Sequence, residues 1–386
     1  MQAIDSKLPD VGTTIFAVMT QLANEHNAIN LSQGFPSFEP PLRLLELVNH
    51  YLHAGANQYA PPNGVATLRE ALAAKVDRMY GRVVDPDHEI TISSGATEGL
   101  FSAIQALVRT GDEVIVFDPA YDSYAPAVTL AGGHTRHLPL RVTEARPAFH
   151  IDFDELADAI NARTRLIIVN FPHNPTGVNI TAADLQRLAE VVRDTSVYLL
   201  SDEVYEHIVF DNEQHHSLLS HEELWPRSIV VSSFGKTYHA TGWKVGYCMA
   251  PAELTVEFRR VHQFTCFAVV TPIQHALADY MTEAPDHFAE LPKFYQKKRD
   301  HFCALLKNSK FTFEPAQGTF FQLLDYSAIS SESDVDYARR LTKELSVASI
   351  PVSVFCEQPP AGQKLRFCFA KDDAMLEDAA ERLCRL

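Results

Sequence analysis

The segment Ser232-Ser233-Phe234-Gly235-Lys236-Thr237 sets a lysine directly behind an apolar run. Its Gly-Lys-Thr triplet invites a phosphate-loop reading, but that motif needs glycine at position 230, where the chain has Val230. A lysine just past a buried strand, shielded by Phe234 and Tyr238, is partly desolvated; its pKa falls and it becomes a usable amine nucleophile. On this run alone, a solvated loop lysine is the simpler outcome. Arg366 poses the complementary question. In the strand-like run KLRFCFA it stands between apolar neighbours, so its guanidinium must meet an anion or leave the strand face. An internal salt bridge would serve that need as well as a ligand. Asp202, after VYLLS, reads locally as a cap of a turn or helix.

Metal and redox chemistry find less support. His134 and His137 stand three apart and His215 and His216 are adjacent, yet neither pair has a third convergent ligand nearby in sequence, so no metal site is expected. Cys248, Cys266, Cys303, Cys356, Cys368 and Cys384 are irregularly spread without a C-x-x-C pair, which reads as reduced thiols of a cytosolic protein.

The elements that must position these groups follow from periodicity. Between about residues 88 and 250, β-rich runs at 89–93, 113–117, 165–171, 197–201, 228–233 and 244–250 alternate with helical patterns, clearest at 96–109 and 182–193. Thr181 is a good N-cap for the second helix. Such alternation predicts βαβ units and a mostly parallel sheet with helices on both faces. LIIVNF and SIVVSSF are apolar without alternation, as strands buried on both sides should be. Ligands of such sheets bind at the carboxyl ends of the strands. There the chain carries Ser94-Gly95-Ala96-Thr97, Asp118-Pro119-Ala120-Tyr121, His173-Asn174-Pro175, Asp202-Glu203-Val204-Tyr205 and Phe234-Gly235-Lys236. Beyond 285 the pattern changes to a long helix (287–308), a strand (319–324), a helix (335–345), two strands (350–355 and 364–370) and a terminal helix. We therefore expect an N-terminal arm joined to a small domain (1–45), a large α/β domain (46–285) and a small α+β domain (286–386).

The chain's 386 residues suffice for such a two-part molecule. A net charge of −16, from 33 basic and 49 acidic residues, argues against nucleic-acid or anionic-membrane partners. No apolar run approaches membrane-spanning length and no signal-like segment opens the chain, so a cytoplasmic location is expected. A nucleotide-binding oxidoreductase is set aside because no G-x-G-x-x-G follows the first strand.

SSFGKTYHATGWKVGY, with NFPHNPTG and SDEVY upstream, resembles the class I aminotransferases of the aspartate-aminotransferase fold, which depend on pyridoxal 5'-phosphate (PLP). The resemblance runs from QGFP at 33–36 to LRFCFAKDD at 365–373, with separate motifs in the family's order, and is nearest to the kynurenine/glutamine and methionine transaminases. It implies PLP fold type I, with a mostly parallel seven-stranded sheet in the large, PLP-binding domain.

The resemblance also implies roles. Lys236 matches the Schiff-base lysine, which doubles as general base. Asp202 matches the partner of the pyridine nitrogen, keeping the ring a strong electron sink. Tyr205 and Asn174 match the donors to the ring's phenolic oxygen, and Tyr121 the aromatic that stacks on the ring. Ser233, Lys244 and the helix start Gly95-Ala96-Thr97 match the phosphate seat, with lysine at 244 where the family often has arginine. Arg366 and the backbone of Gly34 match the clamp on the substrate α-carboxylate, to which Asn174 also belongs. Tyr59 matches the tyrosine that reaches the neighbouring subunit's cofactor, implying a homodimer with shared sites. The expected reaction is ping-pong transfer of an α-amino group to a 2-oxo acid, with methionine favoured and phenylalanine, glutamine and kynurenine open. Carbon–sulfur β-elimination on the same scaffold is the alternative. A non-catalytic PLP-sensing regulator would need a preceding DNA-binding domain, for which the residues before QGFP leave no room.

Overall fold

The computed structural model describes residues 5–358 and 362–386. Seven strands form the large sheet: β1 (Ile90–Ser93), β2 (Glu113–Asp118), β3 (His134–Pro139), β4 (Thr164–Asn170), β5 (Tyr198–Asp202), β6 (Ser228–Ser233) and β7 (Gly246–Met249). Their spatial order is β1-β7-β6-β5-β4-β2-β3. Only β7 runs against its neighbours; the other four pairings are parallel. After β2 the chain moves toward one edge of the sheet and after β4 toward the other. That divergence opens a crevice at the carboxyl ends of the strands.

Alternate residues of the central strands feed two cores. Ile115, Phe117, Ile167, Val169 and Leu199 pack on one face, whereas Val114, Val116, Leu166, Ile168 and Leu200 pack on the other. This two-sided burial explains the continuous apolar runs. Thr181 caps the helix Ala182–Val192 through a reciprocal capping box with Asp184. The strand β3 escaped the periodicity reading because HTRHLP lies at the sheet edge, where Leu138 is its single buried residue. The run at 244–250 forms a strand only from Gly246, since Lys244 has a left-handed backbone with φ 53°.

The C-terminal part contains the helix His287–Leu306 and an antiparallel sheet of β8 (Phe321–Asp325), β9 (Ile350–Pro351) and β10 (Lys364–Cys368), in the order β9-β10-β8. The expected strand 350–355 is cut short at Pro351. Asp334 then binds the Ser353 amide at 2.7 Å and its hydroxyl at 2.6 Å, drawing the chain into a single 3-10 turn, Ser353–Phe355. Met19 and Leu31 of the N-terminal stretch share one apolar core with these elements, and Ile29–Asn30 pairs in parallel with Val347–Ala348. Among the described residues, no helix is long and apolar enough to cross a membrane.

Candidate active site

The carboxyl ends of β1, β4, β5 and β6 and the loop after β2 surround a cavity of about 210 Å³. Gly95, Ala96, Thr97, Tyr121, Asn174, Asp202, Tyr205, Ser233, Lys236 and Lys244, all singled out from sequence, line it together with Asn170. At one end the chain turns from β1 into the helix Gly95–Leu107. Gly95 has φ 70°, and a Cβ there would sit 3.3 Å from Lys244 Nζ, so glycine lets the turn form beneath the lysine. Gly246 meets a harder limit: an added Cβ would stand 2.7 Å from the Ser232 carbonyl oxygen and 2.8 Å from the Gly95 carbonyl carbon. The free amides of the helix start, the Thr97 and Ser233 hydroxyls and the Lys244 ammonium, 3.5 Å from Thr97 Oγ1, converge here. Such donors around one cation suit a phosphate.

Asp202 lies at the floor, at the end of β5. Its Oδ2 accepts from the Tyr124 hydroxyl at 2.7 Å, and Asn170 Nδ2 donates to its backbone carbonyl at 2.8 Å. Burial pushes its pKa up to about 6, while the Tyr124 hydrogen bond and the Lys236 charge pull the other way. A cation brought to this carboxylate would favour its ionised form. Burial holds the Tyr205 hydroxyl well above its usual range, so it stays a neutral donor. The Tyr121 hydroxyl is pushed up to about 12, again chiefly by burial.

Lys236 Nζ donates to the Gly34 carbonyl at 2.9 Å and stands 5.6 Å and 5.2 Å from the ring centres of Tyr205 and Phe320. Burial lowers its pKa to about 8, and the charges of Arg366 and Lys244 act in the same direction. The sequence predicts a partly desolvated amine shielded by Phe234 and Tyr238; the amine is desolvated, but the rings beside it are Tyr205 and Phe320, while Phe234 and Tyr238 stack on each other. Flanking it, Arg366 is 1% exposed and donates from Nη1 to Asn174 Oδ1 and from Nη2 to the Ser32 carbonyl, both at 2.9 Å. Its Nε is buried without a partner, and no described carboxylate lies within salt-bridge distance. The internal ion pair that the sequence left open is absent among the described residues. Instead the rings of Phe321, Phe16 and Phe355 lie 3.9, 5.3 and 5.8 Å from the guanidinium carbon. Burial lowers the Arg366 pKa to about 10.

Sequence reasoning missed Tyr124, Asn170, Phe16 and Phe321. Asn170 Oδ1 accepts from the Asn174 amide at 3.0 Å, so it ties Asn174 to Asp202. Tyr59 is not brought into the cavity of its own chain. It is 83% exposed and packs edge-on against Phe267 at 5.2 Å. Among the described residues no group of three or more His, Cys, Asp or Glu side chains could hold a metal ion. His137 bonds Asp118 at 2.7 Å and His215 bonds Glu203 at 2.8 Å instead.

Neither Arg366 nor Gly34 lines the cavity itself, but an anion seat, a lone buried carboxylate and a neutralisable amine around it, with an unpaired guanidinium bonded to Asn174 of its wall, fit PLP and an α-amino acid. Comparison with known proteins agrees. A family model described as aminotransferase class I and II matches residues 26–383. The methionine aminotransferase of Escherichia coli (strain K12) is 51% identical over 381 residues, covering 99% of this chain and 98% of that one. A kynurenine–oxoglutarate transaminase of Dictyostelium discoideum is 35% identical, covering 97% and 94%. The crystal structure of an Escherichia coli protein identified as a methionine aminotransferase superposes with a TM-score of 0.97 at 50% identity, covering 100% of both chains. Aspartate aminotransferase of Thermus thermophilus with maleate gives 0.90 at 29% identity, again over 100% of both.

Proposed function

From the premise that the chain belongs to the class I and II aminotransferases, PLP-dependent enzymes that pass an α-amino group to a 2-oxo acid, we propose that its donor is an apolar amino acid, methionine foremost. The observation that carries this is Arg366, a buried guanidinium without a described ion-pair partner, walled by Phe16, Phe321 and Phe355. It offers charge to one carboxylate and apolar surface to what lies beside it. The Asp122 carboxylate interacts with the same guanidinium and disfavours a second acidic group there. Phenylalanine, glutamine and kynurenine are secondary donors on this reading. The relatives named above are transaminases, so transamination is favoured over elimination.

When bound, PLP supplies an aldehyde carbon that takes up the amino group and a ring that absorbs negative charge from Cα. The residues divide the remaining work. Lys236, with its lowered pKa, offers a neutral Nζ that takes the Cα proton. Asp202 would hold the ring nitrogen protonated, and Tyr205 with the Asn174 side-chain amide would donate to the phenolic oxygen. Asn174 Oδ1 is already occupied by Arg366, which leaves its N–H groups to do so. Tyr121 covers a ring face. Gly95, Ala96, Thr97, Ser233 and Lys244 hold the phosphate. Arg366 and Gly34 orient the substrate carboxylate. Tyr59, exposed on its own chain, supplies the phosphate contact of a partner's site in a homodimer.

Rates with methionine, phenylalanine, glutamine, kynurenine and aspartate, each at varied 2-oxo acid, test the reading. Parallel double-reciprocal lines with methionine above aspartate are expected. Aspartate as the best donor would overturn the assignment.

A further inference from the structure

We propose that Tyr124 is a positioning residue of the transfer reaction, its hydroxyl holding the Asp202 carboxylate ionised and aimed at the cofactor's ring nitrogen. The inference rests on the role given to Asp202 above. Tyr124 opens the helix Tyr124–Leu130 and is 3% exposed; Asp202 ends β5 and is 4% exposed. Their oxygens meet at 2.7 Å across 78 residues of sequence. The other carboxylate oxygen receives only the Val204 amide, at 3.4 Å.

The physical need is specific. Burial favours the neutral carboxyl, and a neutral carboxyl cannot hold a proton on a ring nitrogen by charge. A hydroxyl that donates to the anion offsets part of that burial. The titratable groups around Asp202 are Tyr121, Tyr124, Tyr205, Glu203 and Lys236, and of these Tyr124 alone hydrogen-bonds the carboxylate. Its own ionisation is suppressed by burial and by Asp202, so it remains a donor. Tyr121 pins the ring edge-on, centroids 5.6 Å apart and planes at 76°, from the cavity side. Asn170 fixes the backbone carbonyl of Asp202, and Tyr124 fixes the side chain.

Tyr124→Phe keeps the ring and removes only the hydroxyl. In the holoenzyme we expect kcat for methionine to fall about tenfold with KM within about twofold, the size of one lost charge-assisted hydrogen bond. The acid limb of the kcat profile should move to higher pH, because Asp202 loses a donor to its anion, and PLP should leave faster on dialysis, followed by loss of visible absorbance. In an Asp202→Asn background the same substitution should change these readouts less than about twofold. An unchanged kcat profile and PLP release in Tyr124→Phe, with Asp202→Asn strongly impaired, would overturn the role of Tyr124 alone. A full tenfold loss on top of Asp202→Asn would show that Tyr124 acts through packing and overturn it too. Wild-type behaviour of Asp202→Asn itself would instead remove the Asp202 assignment and the inference with it.

Discussion

Replacing Arg366 by methionine separates the proposed substrate clamp from the fold. The guanidinium is 1% exposed, and burial lowers its pKa from 12.5 to about 10. Carrying the charge in the substrate-free protein therefore costs on the order of 3 kcal/mol at neutral pH. The sign follows from a basic group whose pKa drops on folding. The cost is full below about pH 10 and fades only as pH rises toward the unfolded value. Methionine at 366 removes that cost and fills most of the space, but it strands Asn174 Oδ1 and the Ser32 carbonyl, each worth about 1–3 kcal/mol. The two effects nearly cancel, so the thermal midpoint of the ligand-free protein should move by no more than about 3 °C. Catalysis has no such compensation. Two charge-assisted hydrogen bonds to the substrate carboxylate disappear, each about 1.5–3 kcal/mol, so kcat/KM for methionine should fall roughly 10²–10⁴-fold. Initial rates across methionine concentrations, beside a calorimetric melt, give both numbers. A kcat/KM within tenfold of the parent refutes the clamp. A midpoint lowered by ten degrees refutes the burial argument.

Three further perturbations have defined outcomes. PLP capture by the cofactor-free protein should quicken about tenfold between pH 7 and 9, because Lys236 loses its proton around pH 8; a flat rate there would mean another amine reacts. If Tyr59 serves the partner's site, mixing refolded Lys236→Ala and Tyr59→Phe chains should raise activity above the average of the two parents. Activity equal to the average of the two would argue against shared sites. Burial opposes the Glu206 charge, yet Lys75 at 2.6 Å holds its carboxyl well below the usual range, and the two side chains are 4% and 2% exposed. Lys75→Met should therefore lower unfolding free energy by about 3–5 kcal/mol in urea titration, and a change under 1 kcal/mol would contradict that.

Most of the cavity lining was legible because strands buried on both faces announce themselves as apolar runs, and the residues just beyond each run fall at the sheet's carboxyl rim. Asn174, Tyr205 and Lys236 are all read this way. The edge strand β3 was not, since His134 and Arg136 are exposed and Leu138 is its one buried residue, which breaks the apolar signal. Tyr124 and Asn170 were invisible for a different reason. Their partners lie 78 and 32 residues away, and nothing local distinguishes a tyrosine that donates to a buried carboxylate at the cavity floor from one that fills a core. Phe16 and Phe355 likewise become neighbours, at 5.8 Å, only after the N-terminal helix Ile15–Glu25 meets the C-terminal sheet. The contact proposed for Tyr59 involves a second chain, and on one protomer the residue is simply exposed.

The turn Asp202-Glu203-Val204-Tyr205-Glu206 carries three carboxylates and a phenol, more ionisable chemistry than the cavity uses. Only Asp202 and Tyr205 of these four line the cavity. Glu203 turns away to accept from Ser201 Oγ at 2.8 Å and the Leu218 amide at 3.1 Å and to pair with His215 at 2.8 Å. Glu206 gathers Lys75 and Tyr80, each at 2.6 Å, and the Tyr247 hydroxyl. Unpaired, such buried carboxylates would be costly. Paired, they anchor the turn to the helix Ala66–Tyr80, to β7 and to the 217–220 segment at once. The forward groups need that anchorage, because Asp202 has one strong side-chain donor and Tyr205 has none among the described residues. Their aim is thus set from behind: by the geometry of two ionic clusters that do not line the cavity.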